Sequence, residues 1–219
     1  MKTDTAHIAW NRRWATPDGR REWLVPEEDV VAVTEKLAAE GRTRRVLDLG
    51  CGVGRHALHL ARLGFEVEAV DLAEAGVEEL RKSASEEGLT VSAATAPMTR
   101  LPFADGWFDY VLSFNVIYHG DESIVRATID EIRRVLRPGG IYQGTMLSKR
   151  HGKYGLGTEV AQNTFVLEDD EDRGHPHYYC NARELVGLFA GFEPLSIVDR
   201  SHEKPSTWHW HLVAERLPG

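Results

Sequence analysis

Apolar and polar positions alternate in blocks between Arg45 and Asp71. Val46 and Leu47 form a short apolar run that reaches an acid, Asp48. Three glycines follow at Gly50, Gly52 and Gly54. Arg55 to Leu63 then places Ala57, Leu58, Leu60 and Ala61 along one helical face, with His56 and His59 flanking it. A second apolar run ends in another acid, Asp71. Strand, tight turn, helix and strand in this order make one βαβ unit of a doubly wound parallel sheet.

The rest of the chain extends that pattern. Ala73 to Glu87 reads as a helix with Val77 and Leu80 as its stripe, and Leu89 to Ala94 as a third strand. Trp107 to Val116 carries a nearly continuous β-rich run, Tyr110 to Phe114, as a strand buried on both faces would. Ser123 to Leu136 is a helix with Ile124, Thr128, Ile132 and Val135 inward. Pro138-Gly139-Gly140 then turns into a fifth strand, Ile141 to Leu147. Asn181 caps a helix to Ala190. Phe192 to Arg200 and Trp208 to Arg216 close the chain as an antiparallel hairpin, with Trp208 and Trp210 on one face and His209 and His211 on the other. The expected fold is α/β: a doubly wound, mostly parallel seven-stranded sheet with an antiparallel C-terminal hairpin.

Two stretches stand outside this alternation. Before the sheet, Val30, Val31, Thr34 and Leu37 recur at helical spacing up to Gly41, preceded by Trp10, Trp14 and Trp23 beside Arg12 and Arg13. The segment reads as a cover on the sheet edge or a lid over a ligand. Between Ser148 and Cys180, glycine, proline and charge indicate a loop or hairpin rather than core, and a long irregular segment beyond a strand end is commonly functional. Its acidic run, Glu168 to Asp172, reads as a solvated tip. The organisation expected is a single domain over residues 1–219: a cap to residue 41, a cofactor-binding core from 42 to 148, a substrate-side insertion from 149 to 180, and a closing helix and hairpin from 181.

Composition narrows the class. The 219 residues are 42% hydrophobic with a formal net charge of −8, which disfavours a general nucleic-acid binder. No apolar run approaches the ~18 residues of a membrane span, and the N-terminus has no signal-peptide core. Two cysteines, Cys51 and Cys180, indicate no disulfide framework and fit a cytoplasmic protein.

The glycine turn selects the ligand. Gly52-x-Gly54-x-x-Ala57 fits the dinucleotide fingerprint formally, but Asp48 would set a carboxylate against a pyrophosphate. The same carboxylate suits a nucleoside bearing an ammonium group. Asp48-Leu49-Gly50-Cys51-Gly52-Val53-Gly54 resembles motif I of the class I S-adenosylmethionine-dependent methyltransferases. Leu101-Pro102-Phe103 with Phe108-Asp109-Tyr110-Val111, and Leu136-Arg137-Pro138-Gly139-Gly140, are similar to that family's segments before strands four and five. These matches fall in order over residues 40–148.

The resemblance implies S-adenosylmethionine as cofactor. Its ammonium would bind at Asp48 and the backbone of Gly50, Cys51, Gly52 and Gly54, and its ribose at Asp71. Its adenine would lie against Leu72, Pro97 and Met98, with Pro97 standing where family members often have an acid. Asn115 lies past the fourth strand, where ligands bind in a parallel sheet. The expected activity is in-line methyl transfer to a small molecule. His119 and His177 are the candidate proton acceptors. Trp10, Trp14, His119, His177 and Tyr178 are the candidate acceptor-binding residues. His175 and His177 flank Pro176, but no cysteine pair or HExxH accompanies them, so no metal site is expected. Transfer to a thiol or metalloid, a non-catalytic S-adenosylmethionine-binding protein and a nicotinamide-linked oxidoreductase are the alternatives. The acceptor atom and the oligomeric state are not legible.

Overall fold

The computed structural model describes residues 3–168, 174–202 and 204–218. Val46, Leu47 and Leu49 have 1% exposure or less, because β1 (Arg45–Leu49) sits between β2 (Glu66–Asp71) and β4 (Phe108–Ser113), parallel to both. β3 (Val91–Thr95) lies parallel beside β2, and β5 (Leu136–Ser148) parallel beside β4. β10 (Trp208–Arg216) runs antiparallel along β5, and β9 (Phe192–Ser201) antiparallel along β10. These seven strands are the expected sheet with its closing hairpin.

Side chains on successive strand residues point to opposite faces, so the sheet builds two cores. Leu47, Leu49 and Val111 pack on one face with Val125, Ile129 and Ile132 of α6 (Glu122–Val135) and Leu185 and Leu188 of α7 (Ala182–Leu188). Val46, Tyr110 and Leu112 pack on the other. Val30 of α3 (Glu28–Glu40), Leu58 and Leu60 of α4 (Arg55–Arg62) and Leu80 of α5 (Glu74–Glu86) cover them. Gly41 ends α3 in the left-handed conformation, as expected of a C-terminal glycine. The Asn181 side chain accepts the Glu184 N–H while Glu184 accepts that of Asn181, a complete capping box.

The sequence reading needs two corrections. β5 begins at Leu136, five residues before Ile141, because Leu136 pairs with Phe108 ahead of the Pro138-Gly139-Gly140 turn. The segment after Ser148 is not all surface. β6 (Thr158–Ala161) and β7 (Thr164–Val166) form a hairpin, and β8 (His177–Cys180) joins β7 to the end of β5. Tyr178, Tyr179 and Cys180 are at most 1% exposed in the larger core. Four buried residues are too few for a readable period, and glycine, proline and charge surround them. Residues 169–172 of the acidic run lie outside the described residues. Among the described residues, no helix is long and apolar enough to cross a membrane.

Candidate cofactor and acceptor site

The carboxyl ends of β1 and β2 carry the glycine turn. Gly50 and Gly52 hold φ of +73° and +50°, which side-chain-bearing residues rarely adopt. A Cβ on Gly50 would lie 2.4 Å from both γ-carbons of Val116, and one on Gly52 would lie 3.1 Å from the Trp14 ring. The Gly50 and Cys51 amides donate to the Val70 carbonyl at 2.7 and 3.0 Å. Asp71 braces the turn from β2: its Oδ2 accepts the Gly52 N–H at 2.8 Å and its Oδ1 the Ala73 N–H at 2.7 Å. Burial pushes the Asp71 carboxyl above its ordinary pKa, although these amides pull it down.

A cavity of about 1030 Å³, its open mouth included, lies over this turn. Gly50, Cys51, Gly52, Asp71, Leu72, Pro97, Met98 and Asn115, all assigned to the cofactor from sequence, line it. Asp48 and Gly54 do not. Gly54 is an N-terminal cap whose added Cβ would lie 2.3 Å from Leu80 Cδ1, so packing of α4 on α5 requires it. Asp48 is 1% exposed and stands behind the wall. Burial raises its pKa to about 7, although the Ala57 amide and the Arg55 guanidinium oppose this. Its Oδ2 has no hydrogen-bond partner among the described residues. A buried oxygen left without a partner is costly, and a cation held at the neighbouring turn relieves that cost. This orphaned oxygen and the side-chain-free cradle fit an ammonium-bearing nucleoside.

The N-terminal segment closes the cavity. In α1 (Ala6–Trp14), Trp10 and Trp14 stack with centroids 4.9 Å apart, and Trp23 meets both edge-on at 5.2 and 5.6 Å. Both Trp10 and Trp14 line the cavity as expected. The Ala75 N–H donates to Asn11 Oδ1 at 2.9 Å, which fastens α1 to the start of α5.

A second cavity, of about 790 Å³, adjoins the first. Trp10, Trp23, Arg55, Asn115 and His119 line both. His177, His202 and His209 line the second. Tyr178 lines neither. It is 1% exposed with its hydroxyl 3.4 Å from Glu122 Oε2, so its expected acceptor-binding role is corrected to a place in the core. The polar wall is set by charge pairing. Arg55 meets Glu27 at 2.8 Å. Burial works against ionised Glu27, yet the His202 hydrogen bond and Arg55 hold its pKa at about 2. Burial, with Arg55 beside it, pushes His56 down to about 3, so its Nε2 accepts the Glu27 N–H as a neutral ring.

Trp23 was visible in the sequence as part of the tryptophan cluster, but Arg55, Glu27, His202 and His209 were given no place in a site and come from separate segments. The His209/His211 alternation was visible, and which face meets a cavity depends on where β10 docks. His119 joins the histidine pair flanking Pro176, and ligand nitrogens of His119, His175 and His177 lie within 4.8 Å of one another.

The glycine cradle, the acid ending β2 and the parallel strands fit a nucleoside-binding α/β protein. A family model for the methyltransferase domain matches residues 46–140. A ubiquinone biosynthesis O-methyltransferase of Roseobacter denitrificans is 34% identical over 181 residues, 79% of this chain and 69% of that protein. The uncharacterized methyltransferase YodH of Bacillus subtilis is 36% identical over 113 residues, 52% of this chain. The chain spans 47% of YodH's length. Among solved structures, the Burkholderia thailandensis 1,6-didemethyltoxoflavin-N1-methyltransferase, with its substrate and S-adenosylhomocysteine bound, superposes with a TM-score of 0.70. It shares 22% identity over 98% of this chain and 89% of that one. The chain belongs to the class I S-adenosylmethionine-dependent methyltransferases, and S-adenosylmethionine is its cofactor.

Proposed function

We propose that the protein transfers the methyl group of S-adenosylmethionine to the hydroxyl of a small molecule held in the second cavity. The observation that carries this reading is the shared wall: Trp10, Asn115 and His119 face both spaces, so a donor in one and an acceptor in the other meet there. Asp71 takes the ribose hydroxyls, Leu72, Pro97 and Met98 pack on the adenine, and Asn115 faces the methionine end. Asp48 acts from behind the glycine turn through its charge. Trp10 and Trp14 offer aromatic faces to the sulfonium.

The methyl carbon passes in line from sulfur to the acceptor oxygen, and the C–S electron pair returns to sulfur. Holding the two reactants in line can supply roughly 7–11 kcal/mol. The acceptor proton leaves to one of the imidazoles that line the second cavity, His119, His177, His202 or His209. Relatives named as O-methyltransferases support a hydroxyl acceptor over a thiol or metalloid. On this reading residues 1–41 are the cap, 42–148 the cofactor core, 149–180 the acceptor-side insertion and 181–219 the closing elements of one domain. The protein works in the cytoplasm without nucleic acid or membrane.

The test is a screen with methyl-labelled donor against phenols, alcohols, thiols, amines, carboxylates and metalloid oxyanions. Label on a hydroxyl is expected. Label on sulfur or a metalloid alone would overturn the oxygen assignment. S-adenosylhomocysteine binding with no transfer to any class would point to a non-catalytic binding protein.

A further inference from the structure

Among the described residues, three histidines gather beside the cofactor cavity, at the junction of two segments distant in sequence. His119 ends the loop after β4. His175 and His177 flank Pro176 at the start of β8. Their exposures are 9%, 4% and 1%. Ring centroids lie 5.1 Å apart for His119 and His175, 4.8 Å for His119 and His177, and 4.4 Å for His175 and His177. We propose that His119, His175 and His177 bind one divalent first-row transition-metal ion of the zinc class.

Hydrogen bonding orients one ligand for this task. His177 Nδ1 lies 2.7 Å from the His175 carbonyl oxygen. A carbonyl can only accept, so Nδ1 carries the proton and Nε2 presents a lone pair. Metal-bound histidines are held in this way, with the other ring nitrogen donating to a backbone carbonyl. The donor set fits as well: three imidazoles suit zinc, iron, cobalt, nickel or copper, whereas magnesium and calcium take oxygen. In a tetrahedral site, metal–nitrogen bonds of about 2.0–2.1 Å put ligand nitrogens about 3.4 Å apart. Starting within 4.8 Å, each nitrogen moves inward by less than about 1 Å, within reach of small ring rotations.

The surroundings complete the case. The Trp10 ring stacks 5.9 Å from His119 and meets His175 at 6.5 Å. Tyr118 lies 4.8 Å from His119 and 6.0 Å from His177. His119 lines the first cavity, and His119 and His177 line the second. Three protein ligands leave a fourth position facing that space, where water or an acceptor oxygen completes the shell. Use of that position by an acceptor rests on the methyl-transfer reading, whereas binding of the ion does not.

The experiment uses the untagged, chelator-stripped full chain, titrated with Co²⁺ and then with Zn²⁺ in competition, with S-adenosylhomocysteine binding measured on the same samples. One Co²⁺ per chain, with the visible absorption of a nitrogen-bound, low-coordinate ion, is expected. His175→Ala removes a ligand and should weaken it by more than about 100-fold, beyond the loss of an outer-shell partner, and leave S-adenosylhomocysteine affinity unchanged. The control His151→Ala should leave Co²⁺ affinity unchanged. X-ray absorption on the zinc-loaded wild-type chain should count three imidazoles, a readout that does not depend on any variant folding. Absence of stoichiometric binding by the wild-type chain, equal affinity in His175→Ala, or fewer than three imidazoles would each overturn the site. Loss of S-adenosylhomocysteine binding by the wild-type chain would overturn the methyl-transfer reading instead.

Discussion

The Asp71 carboxylate accepts the Gly52 N–H at 2.8 Å, so the acid that ends β2 also holds the glycine turn that follows β1. One side chain thus braces the cradle and lines the cavity, where the proposed function has it take the ribose hydroxyls. Replacing it removes both actions. Asp71→Ala should weaken S-adenosylhomocysteine binding by about 10- to 100-fold, the equivalent of one or two hydrogen bonds to a charged group. Calorimetric titration measures it, and a melting curve checks that the variant folds.

Gly50 and Gly88 share a positive φ, at +73° and +67°, but not their surroundings. A Cβ at Gly50 would collide with Val116, whereas nothing lies within 4 Å of one at Gly88. Gly88→Ala should cost about 1–2 kcal/mol, the backbone contribution alone, and leave cofactor binding intact. Gly50→Ala should cost about 2–4 kcal/mol and abolish binding, because overpacking adds to that strain. Denaturant melts with and without S-adenosylhomocysteine separate the two.

Asp48, with a pKa of about 7, couples cofactor binding to pH. In the free protein it is largely protonated at pH 6. A bound ammonium favours the ionised form, so binding releases a proton below pH 7. S-adenosylhomocysteine affinity should therefore rise about tenfold from pH 6 to pH 8 and level off above. Titrations in buffers of different ionisation enthalpy should register the released proton. Asp48→Asn should remove the pH dependence.

His56 links stability to pH, and its contribution also grows as pH rises. Its folded pKa of about 3 lies below the ordinary 6.5, so between these values the unfolded chain binds a proton that the folded chain does not. Its contribution is fully present above pH 6.5 and lost as pH falls towards 3. From pH 7 to pH 5 the loss is about 2 kcal/mol. His56→Gln keeps an acceptor for the Glu27 N–H and should reduce the wild-type loss by that amount in urea melts at the two pH values.

Tyr178 tests the corrected assignment. Its hydroxyl makes one long contact, to Glu122 at 3.4 Å, and lies outside both cavities. Tyr178→Phe should change stability by less than about 1 kcal/mol. It should leave transfer kinetics unchanged once an acceptor is found.

The cofactor half of the site was legible because it is built from consecutive residues. The turn after β1 and the acid ending β2 are fixed by local backbone demands, and those demands choose glycine and aspartate directly. Asp48 shows where that logic stops. Its position in the motif suggested direct contact with ligand, but its side chain turns behind the wall to the start of α4. The second cavity, where the proposed function puts the acceptor, draws on α1, the loop after β4, β8 and β10. None of these carries a pattern that names its neighbours.

The sequence by itself determined seven strands of the sheet, their mostly parallel run with its antiparallel closing hairpin, and the glycine turn, since strand period, turn glycines and strand-end acids are local and act through the backbone. Only the tertiary structure decided which histidines meet. His119 and His177 are 58 positions apart and reach one another because β8 docks against the end of β5. That docking depends on burying Tyr178, Tyr179 and Cys180, a matter of shape across the core that no short stretch of sequence encodes.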